Sequence, residues 1–449
     1  KYEIDMCNGT IMDKLISFSI PLMLSGILQL MFNAVDIVVV GHFSGSQALA
    51  AVGSTTALIN VFTNLFIGIS LGANVLAARY YAAGKTKEMS ETVHTAIALA
   101  LVSGVAMAVI GVVFARGALE IMGTPDDVIA KSTLYMRIYF CGMPFFMMYN
   151  YGAAILRAVG DTKRPLIFLI VSGVINAVLN LFLVIGFHLD VAGVGIATVI
   201  SQLVSCILVL RCLHHTESSY QLHLAKLRIR SVYLKQIFEV GVPAGIQSTV
   251  INISNAMLQS SVNSFGSIAM AGYTAANNIF GVLYVTVNAV TQACMSFTSQ
   301  NYGVGKWKRM DRVLIDCLIL SFVAMMILGN SAYFFGPKLL TIYTSNSKVI
   351  QCGMEILLYT TVTYFLCGFM DLFPGALRGM GRSGVPMILS IIGTVGTRIV
   401  WIFWIFPNHR SLDILFISYP ASWIITIVLQ VICYYFVRKQ LYAKMRAEA

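Results

Sequence analysis

Charged residues are scarce in this chain of 449 residues: Asp, Glu, Lys and Arg make up 11% of it, where a soluble domain carries about 25%. Hydrophobic residues make up 58%, and the mean hydropathy is +0.80. So little charge excludes a soluble enzyme, a disordered chain and a coiled coil. A polytopic helical membrane protein remains, and at about 20 apolar residues per span the length allows roughly a dozen spans.

Motifs for metal, redox and ATP chemistry are also missing. The nine cysteines are scattered without a C-x-x-C pair, so a disulfide scaffold, a metal centre and a redox centre find no support. There is no Walker A lysine motif, and no histidine lies deep in an apolar run. We therefore expect a protein that is not an enzyme and that uses no cofactor other than a coupling ion.

What the chain does contain is a series of long apolar stretches separated by short polar loops. Twelve of them fall near residues 15–41, 50–78, 93–115, 134–156, 165–187, 191–213, 236–263, 268–298, 313–335, 352–377, 385–406 and 412–437. Each is long enough to cross a bilayer as a helix. The sequence therefore predicts an all-α membrane protein with twelve transmembrane helices and both termini on one side.

Basic residues are distributed unequally between the two sides of these spans. Of the 30 Lys and Arg, 23 fall on the side of the termini, six on the other side, and Arg398 inside a span. The positive-inside rule then places both termini in the cytoplasm of a multi-pass protein, which we expect in a bacterial inner membrane. The charge of +11 orients the chain in lipid and requires no nucleic-acid partner.

The first half of the chain recurs in the second half at a constant spacing. The motif that begins at Arg157 returns at Arg378, and Gly84 returns as Gly305. Each copy contains six predicted spans, and an even number makes the two copies parallel. The chain therefore contains an internal repeat of a six-helix bundle.

The repeat predicts three regions. An N-terminal six-helix lobe covers residues 1–214, a cytoplasmic linker covers 215–235, and a C-terminal six-helix lobe covers 236–449. Two bundles with a cleft between them are suited to alternating access, and we expect the chain to act as a monomer.

Two of the 19 carboxylates, Asp36 and Asp371, lie deep in apolar runs. A charge inside the membrane costs about 3 kcal/mol on insertion scales, so such a residue is a functional candidate by default. The alternative is a structural ion pair or an interfacial side chain, and Asp371 lies only seven residues before Arg378, which is predicted to be cytoplasmic. Neither acid is repeated, because Met257 and Asn150 occupy the equivalent positions in the other copy.

Polar residues at a similar depth surround Asp36. Counted at 1.5 Å per residue, Asp36, Asn180 and Thr198 each lie roughly 9–12 Å below the outer edge. Asn176 precedes Asn180 by one turn, and Asn33 precedes Asp36 by three residues. A carboxylate with amide and hydroxyl oxygens suits a proton or a hard monovalent cation such as Na⁺. We predict a coupling-ion site there, with interhelical hydrogen bonding alone as the alternative.

Stripes of polar side chains at helical spacing predict a wet cavity between the helices. Aromatic rings and thioethers beside a few polar groups suit small, flat, lipophilic cations. Ordinary packing is the alternative for any one residue. The predicted cavity residues are Gln29, Asn60, Asn64, Met147, Tyr149, Asn150, Asn252, Asn255, Asn278 and Asp371.

Three segments, together with Asp36 in the first span, carry a family resemblance. They are Leu156-Arg157-Ala-Val-Gly160-Asp161-Thr162-Lys163-Arg-Pro165, Val191-Ala-Gly193-Val-Gly195-Ile-Ala197-Thr198 and Gln300-Asn301-Tyr-Gly303-Val-Gly305. Over nearly its whole length the chain resembles the multidrug and toxic compound extrusion (MATE) transporters. The resemblance implies two six-helix lobes in a V shape, and export of organic cations and other amphiphiles in exchange for Na⁺ or H⁺.

The resemblance also assigns roles to particular residues. In Na⁺-linked members the ion site looks like Asp36, Asn176, Asn180 and Thr198, except that an acid stands where this chain has Asn180. One negative charge is therefore missing, which favours H⁺ coupling through Asp36 alone. Some members carry a glutamate on the seventh transmembrane span, where this chain has Asn252 and no acid.

We therefore expect a secondary active exporter of drugs or organic cations that exchanges them for H⁺, and less so for Na⁺. The alternative is a flippase for lipid-linked or other amphiphilic substrates on a related two-lobe fold. A flippase for large polar head groups should line its cavity with many basic residues, whereas Arg398 is the one deep basic residue here. A membrane-embedded enzyme would need a convergent nucleophile and base, and a channel would not need two unpaired acids.

Overall fold

The computed structural model describes residues 2–448, the side chain of residue 54 excepted, and all regular secondary structure among these residues is helical. Residues 1 and 449, which the predicted lobes include, lie outside the described residues. The all-α class expected from the apolar stretches is therefore confirmed for the described part of the chain.

Seven helices form the first half of the described chain. They are α1 (Met12–Phe43), α2 (Gly45–Ala82), α3 (Thr86–Ile121), α4 (Ile129–Cys141), α5 (Met143–Ala158), α6 (Lys163–Asn180) and α7 (Val191–His214). A wide π-helical turn, Leu181–Gly186, extends α6, so that one apolar helix runs from Lys163 to Gly186. A short 3₁₀ turn, Leu224–Lys226, follows α7.

The second half contains the longer helices α8 to α10 and α16 with shorter helices between them. The bounds are α8 (Ser231–Asn263), α9 (Ser267–Gly303), α10 (Trp307–Phe334), α11 (Gly336–Thr341), α12 (Ser347–Thr360), α13 (Tyr364–Gly379), α14 (Gly384–Ser390), α15 (Thr397–Val400) and α16 (Leu412–Glu448). Two π-helical turns, Ile391–Gly396 and Trp401–Ile405, lie on either side of α15. Together these pieces form one apolar helix from Gly384 to Ile405.

The spacing of the sequence repeat appears again in the backbone. Glycines at equivalent positions of the two copies, 45 and 266, 84 and 305, and 160 and 381, all have positive φ. A residue with a Cβ is strained in that region, so each pair marks a turn that requires glycine. The φ values are 87° and 104° for Gly45 and Gly266, 70° and 74° for Gly84 and Gly305, and 94° and 82° for Gly160 and Gly381.

Nine of the described helices are long and apolar enough to cross a membrane, and the number is ten if α12 and α13 form one bent span. The bend between α12 and α13 is 47°. The hydroxyls of Thr360 and Thr361 donate to the carbonyls of Ile356 and Leu357, both at 2.6 Å, and such bonds bend helices. The chain is thus a multi-pass membrane protein, and the number of twelve spans stays a prediction.

Two other predicted spans explain the difference between the twelve predicted spans and the ten apolar helices of the described chain. The stretch 134–156 is divided at Gly142 between α4 and α5. The stretch 236–263 lies in α8, a single helix of 33 residues that is not among the nine apolar helices. Its polar stripe, which includes Asn252 and Asn255, lowers its hydropathy.

The chain packs as two compact units. Unit 1 contains residues 2–4 and Pro21–Gly245, and unit 2 contains Asp5–Ile20 and the chain from Ile246 onward. α1 thus passes from unit 2 to unit 1 at Pro21, and α8 passes from unit 1 to unit 2 shortly after Pro243. The predicted lobes describe the sequence repeat and not this packing, so their boundaries stay a prediction.

Within unit 1, glycines bring α2 against the first part of α8. A Cβ on Gly68 would overlap the backbone of Gly245, and a Cβ on Gly72 would overlap the carbonyl of Ile237. Small residues allow such close backbone approach in membrane helices. Within unit 2, Phe18 of α1 packs its ring edge-on against Phe297 of α9, with centroids 5.6 Å apart.

Candidate functional site

A cluster of three polar side chains joins α1 to α6 within unit 1. Nδ2 of Asn180 donates a hydrogen bond to Oδ1 of Asp36 and another to Oδ1 of Asn176, the latter at 2.9 Å. Asn180 is fully buried, whereas Asp36 is partly exposed. One amide therefore holds the membrane carboxylate and its neighbouring amide together.

Local helix geometry explains how these residues meet. Asn180 is the last residue of α6 before the π-helical turn, and such turns are frequent at functional sites. Two turns earlier, Gly173 lies against Phe32 of α1 so closely that a Cβ would overlap the ring. Asp36 follows Phe32 by one turn of α1. The glycine contact thus sets the separation of α1 and α6 at which the amide reaches the acid.

Asp36 has no ionic partner in the described part of the chain. The described residues form seven ion pairs, and none of them includes Asp36. Oδ1 of Asn180 is buried and accepts no hydrogen bond. The cluster therefore combines one carboxylate without a counter-charge with an unused amide oxygen, an arrangement able to hold a proton or a monovalent cation.

Two predicted members of the ion site are not joined to this cluster. The buried Thr198 hydroxyl of α7 donates to the carbonyl of Val194 in its own helix at 2.9 Å. The Asn33 side chain is exposed. Their participation in ion binding stays a prediction, as does the ionic role of the three residues that do meet.

The predicted cavity residues of unit 1 fall into two groups. Gln29 and Asn60 are exposed and Asn64 is partly exposed. Those of α5 are engaged with protein: the Tyr149 hydroxyl donates to the carbonyl of Pro165 at 3.1 Å, the Asn150 amide donates to that of Phe146 at 2.8 Å, and Met147 is fully buried in the core.

In unit 2, the predicted cavity residues are more open. Asn252 and Asn278 are exposed, and Asn255 and Asp371 are partly exposed. Oδ1 of Asn255 accepts a hydrogen bond from Nη1 of Arg398 at 2.6 Å. The polar stripe on α8 therefore reaches the deep basic residue that the sequence analysis singled out.

Two contacts in unit 2 were not anticipated from the sequence. The Arg398–Asn255 bond joins residues 143 positions apart. Nη2 of Arg378, which the span prediction placed on the cytoplasmic side, donates to Oε1 of Gln247 at 2.7 Å. A basic residue inside or at the end of an apolar run was the available signal, but the sequence did not identify its partner.

The chain is similar to known proteins over nearly its full length. The MatE family profile matches residues 21–182 and, a second time, residues 243–404. The second match covers the second copy of the sequence repeat, so the profile finds the same internal repeat.

Curated relatives and solved structures agree with this match. The probable multidrug resistance protein YoeA of Bacillus subtilis (strain 168) is 29% identical over 432 residues, which cover 94% of this chain and 93% of that protein. An FAD transporter of Shewanella oneidensis is 22% identical over 386 residues, which cover 84% of this chain and 84% of that protein. A multidrug resistance MATE family transporter of the MOP superfamily, solved in an outward-facing conformation, superposes with a TM-score of 0.89 at 20% identity over 99% of each chain.

Proposed function

The chain belongs to the MatE family of multidrug and toxic compound extrusion transporters, and from this premise we propose that it exports lipophilic organic cations in exchange for H⁺. It works as a secondary active antiporter by alternating access between two six-helix lobes. It acts as a monomer in a bacterial inner membrane with both termini in the cytoplasm, and it uses no cofactor besides the coupling ion. Curated relatives named as multidrug resistance proteins support the substrate class.

The observation that carries this proposal is the pair of hydrogen bonds that the Asn180 amide donates to Asp36 and to Asn176. A membrane carboxylate without an ionic partner is a functional candidate. Its neighbours are neutral, so the site contains a single negative charge. A proton needs one carboxylate, whereas a hard cation is held better as the number of charged ligands rises. The composition of the cluster therefore favours H⁺ over Na⁺.

The test is transport by the purified full chain in liposomes. Ethidium, a fluorescent lipophilic cation, is enclosed in the vesicles, and a pH gradient or a Na⁺ gradient is imposed separately at zero membrane potential. We expect efflux that follows the pH gradient and changes little with Na⁺. Efflux that follows only the Na⁺ gradient would assign the site to Na⁺, and no gradient-driven efflux of any tested cation would contradict the export function.

The second candidate is movement of a larger amphiphile, such as a lipid-linked molecule. An FAD transporter among the relatives and the buried guanidinium of Arg398 favour a substrate that carries an anionic group. Flipping of a fluorescent anionic lipid in the same liposomes distinguishes the two functions. Flipping that outpaces ethidium efflux and needs no gradient would favour the second candidate.

A further inference from the structure

Arg398 is a buried cation of unit 2 that has no ionic partner in the described part of the chain. It is 2% exposed, and none of the seven ion pairs among the described residues includes it. A guanidinium stays protonated in proteins. Burial of a full charge without a counter-charge is unfavourable, so Arg398 is a candidate for a functional role.

The hydrogen bonds of Arg398 occupy one end of its guanidinium. Nη1 donates to Oδ1 of Asn255 at 2.6 Å and to Oγ of Ser254 at 3.2 Å. Nε is buried and has no hydrogen-bond acceptor. The edge formed by Nε and Nη2 is one that binds a carboxylate with two parallel hydrogen bonds. That edge carries none of the hydrogen bonds that the described residues form.

Aromatic rings pack around the guanidinium of Arg398. The Tyr419 ring lies 4.9 Å from the Arg398 Cζ atom, and the hydroxyls of Tyr419 and Tyr273 are 2.7 Å apart. Trp423 packs on Tyr419 with centroids 5.9 Å apart. The rings contribute no charge that would neutralise the guanidinium. Tyr419 and Trp423 are themselves buried, so an aromatic ligand that stacks on them must displace part of the packing around Arg398.

The backbone around Arg398 and the stripe on α8 connect it to open surface. π-helical turns lie directly before and after the four residues of α15, and such turns are frequent at functional sites. Asn255 is one turn from both Asn252 and Gln259 on α8, and those two side chains are exposed. A ligand on the polar stripe of α8 therefore lies next to Asn255, which accepts the hydrogen bond from Nη1 of Arg398.

We propose that Arg398 is an anion-binding residue of unit 2 that takes the carboxylate of an aromatic substrate. The carboxylate pairs with the Nε and Nη2 edge, and its aromatic part packs against Tyr419 and Trp423. This deepens the proposed function, on which it rests for the identity of the ligand as cargo. The substrate class then includes aromatic amphiphiles with a carboxylate, and not only cations.

The test is equilibrium binding to the full chain in detergent, with no gradient. Dansylglycine carries a carboxylate, and dansylglycinamide is its neutral match, so protein-free micelles correct both for partition. We expect dansylglycine to bind about tenfold or more tightly than the amide, as expected for hydrogen bonds between charged groups. Arg398→Gln should remove this preference, and Arg398→Lys should keep part of it.

The matched control is Arg410→Gln. Arg410 also lies in unit 2 over an aromatic ring, that of Phe265 at 5.4 Å, but it is exposed. The preference should survive this change. Equal binding of the two probes by the unaltered protein, or a preference that persists in folded Arg398→Gln, would overturn the proposal and leave Arg398 a structural residue. Because binding is measured without a gradient, a failure of H⁺ coupling would appear in the ethidium assay and not here.

Discussion

Asp36→Asn separates the proposed ionic role of Asp36 from a structural role. The substituted amide keeps an oxygen in the place of Asp36 Oδ1, so Asn180 can still donate to it. Hydrogen bonds to charged groups contribute about 1.5–3 kcal/mol and neutral ones about 0.5–1.5 kcal/mol, so roughly 1 kcal/mol of this contact is lost. Removal of a partly buried charge offsets a similar amount. We expect thermal stability to change by about 4 °C or less.

Transport should change far more than stability. The amide cannot take up or release a proton near neutral pH, so the variant has no group that links the pH gradient to ethidium movement. The assay is ethidium efflux from liposomes under an imposed pH gradient, with the melting temperature measured on the same preparation. Efflux should fall to the rate of protein-free vesicles while the melting transition remains.

A carboxylate that already has a partner is the control. Asp190, also in unit 1, pairs with Lys131 at 2.8 Å and has a φ of 60°, which Asn tolerates. Asp190→Asn should retain gradient-driven efflux. If Asp36→Asn retains it as well, Asp36 is a structural residue and the reasoning from its unpaired charge is refuted.

Three further predictions concern the same unit. Asn180→Asp adds a second charge to the proposed ion site and should make efflux at fixed pH respond to a Na⁺ gradient; unchanged ion dependence would contradict the charge-count argument. Gly173→Ala should lower stability by about 1–3 kcal/mol because its Cβ overlaps a ring of α1, whereas Gly186→Ala, with no atom within 4 Å, should melt like the unaltered protein. Burial and the Glu3 carboxylate raise the pKa of Tyr220. The contribution of the protonated Tyr220 hydroxyl to folding stability is therefore present at neutral pH and is lost as pH rises above about 10. The melting temperature of Tyr220→Phe should therefore fall less at alkaline pH than that of the unaltered protein.

Local sequence signals predicted the helices well. Apolar runs and glycine turns depend on residues near one another, so the helices α2, α3 and α9 match the stretches 50–78, 93–115 and 268–298 in position. The divisions within the predicted spans escaped notice. A single Gly142 between α4 and α5, and threonine hydroxyls that bond to carbonyls one turn back, do not interrupt a hydrophobic pattern.

The candidate site was predicted in part. Counting residues along helices gave a similar depth for Asp36, Asn180 and Thr198, but depth does not tell which way a side chain points around its helix. The amide of Asn180 points to the acid, whereas the hydroxyl of Thr198 bonds to its own helix. The Arg398–Asn255 bond depends on tertiary packing over a long sequence separation, which no pattern in a single sequence reports.

α1 belongs to unit 2 before Pro21 and to unit 1 from Pro21 onward, and this has a consequence for biogenesis. Residues 5–20 pack in unit 2, where Phe18 meets Phe297, yet they leave the ribosome well before the rest of that unit. At about 5–20 residues per second, roughly 15 to 55 s separate the synthesis of these two rings. During that time the start of α1 is exposed without its final neighbours, so the nascent chain needs lipid or an insertion factor to shield it.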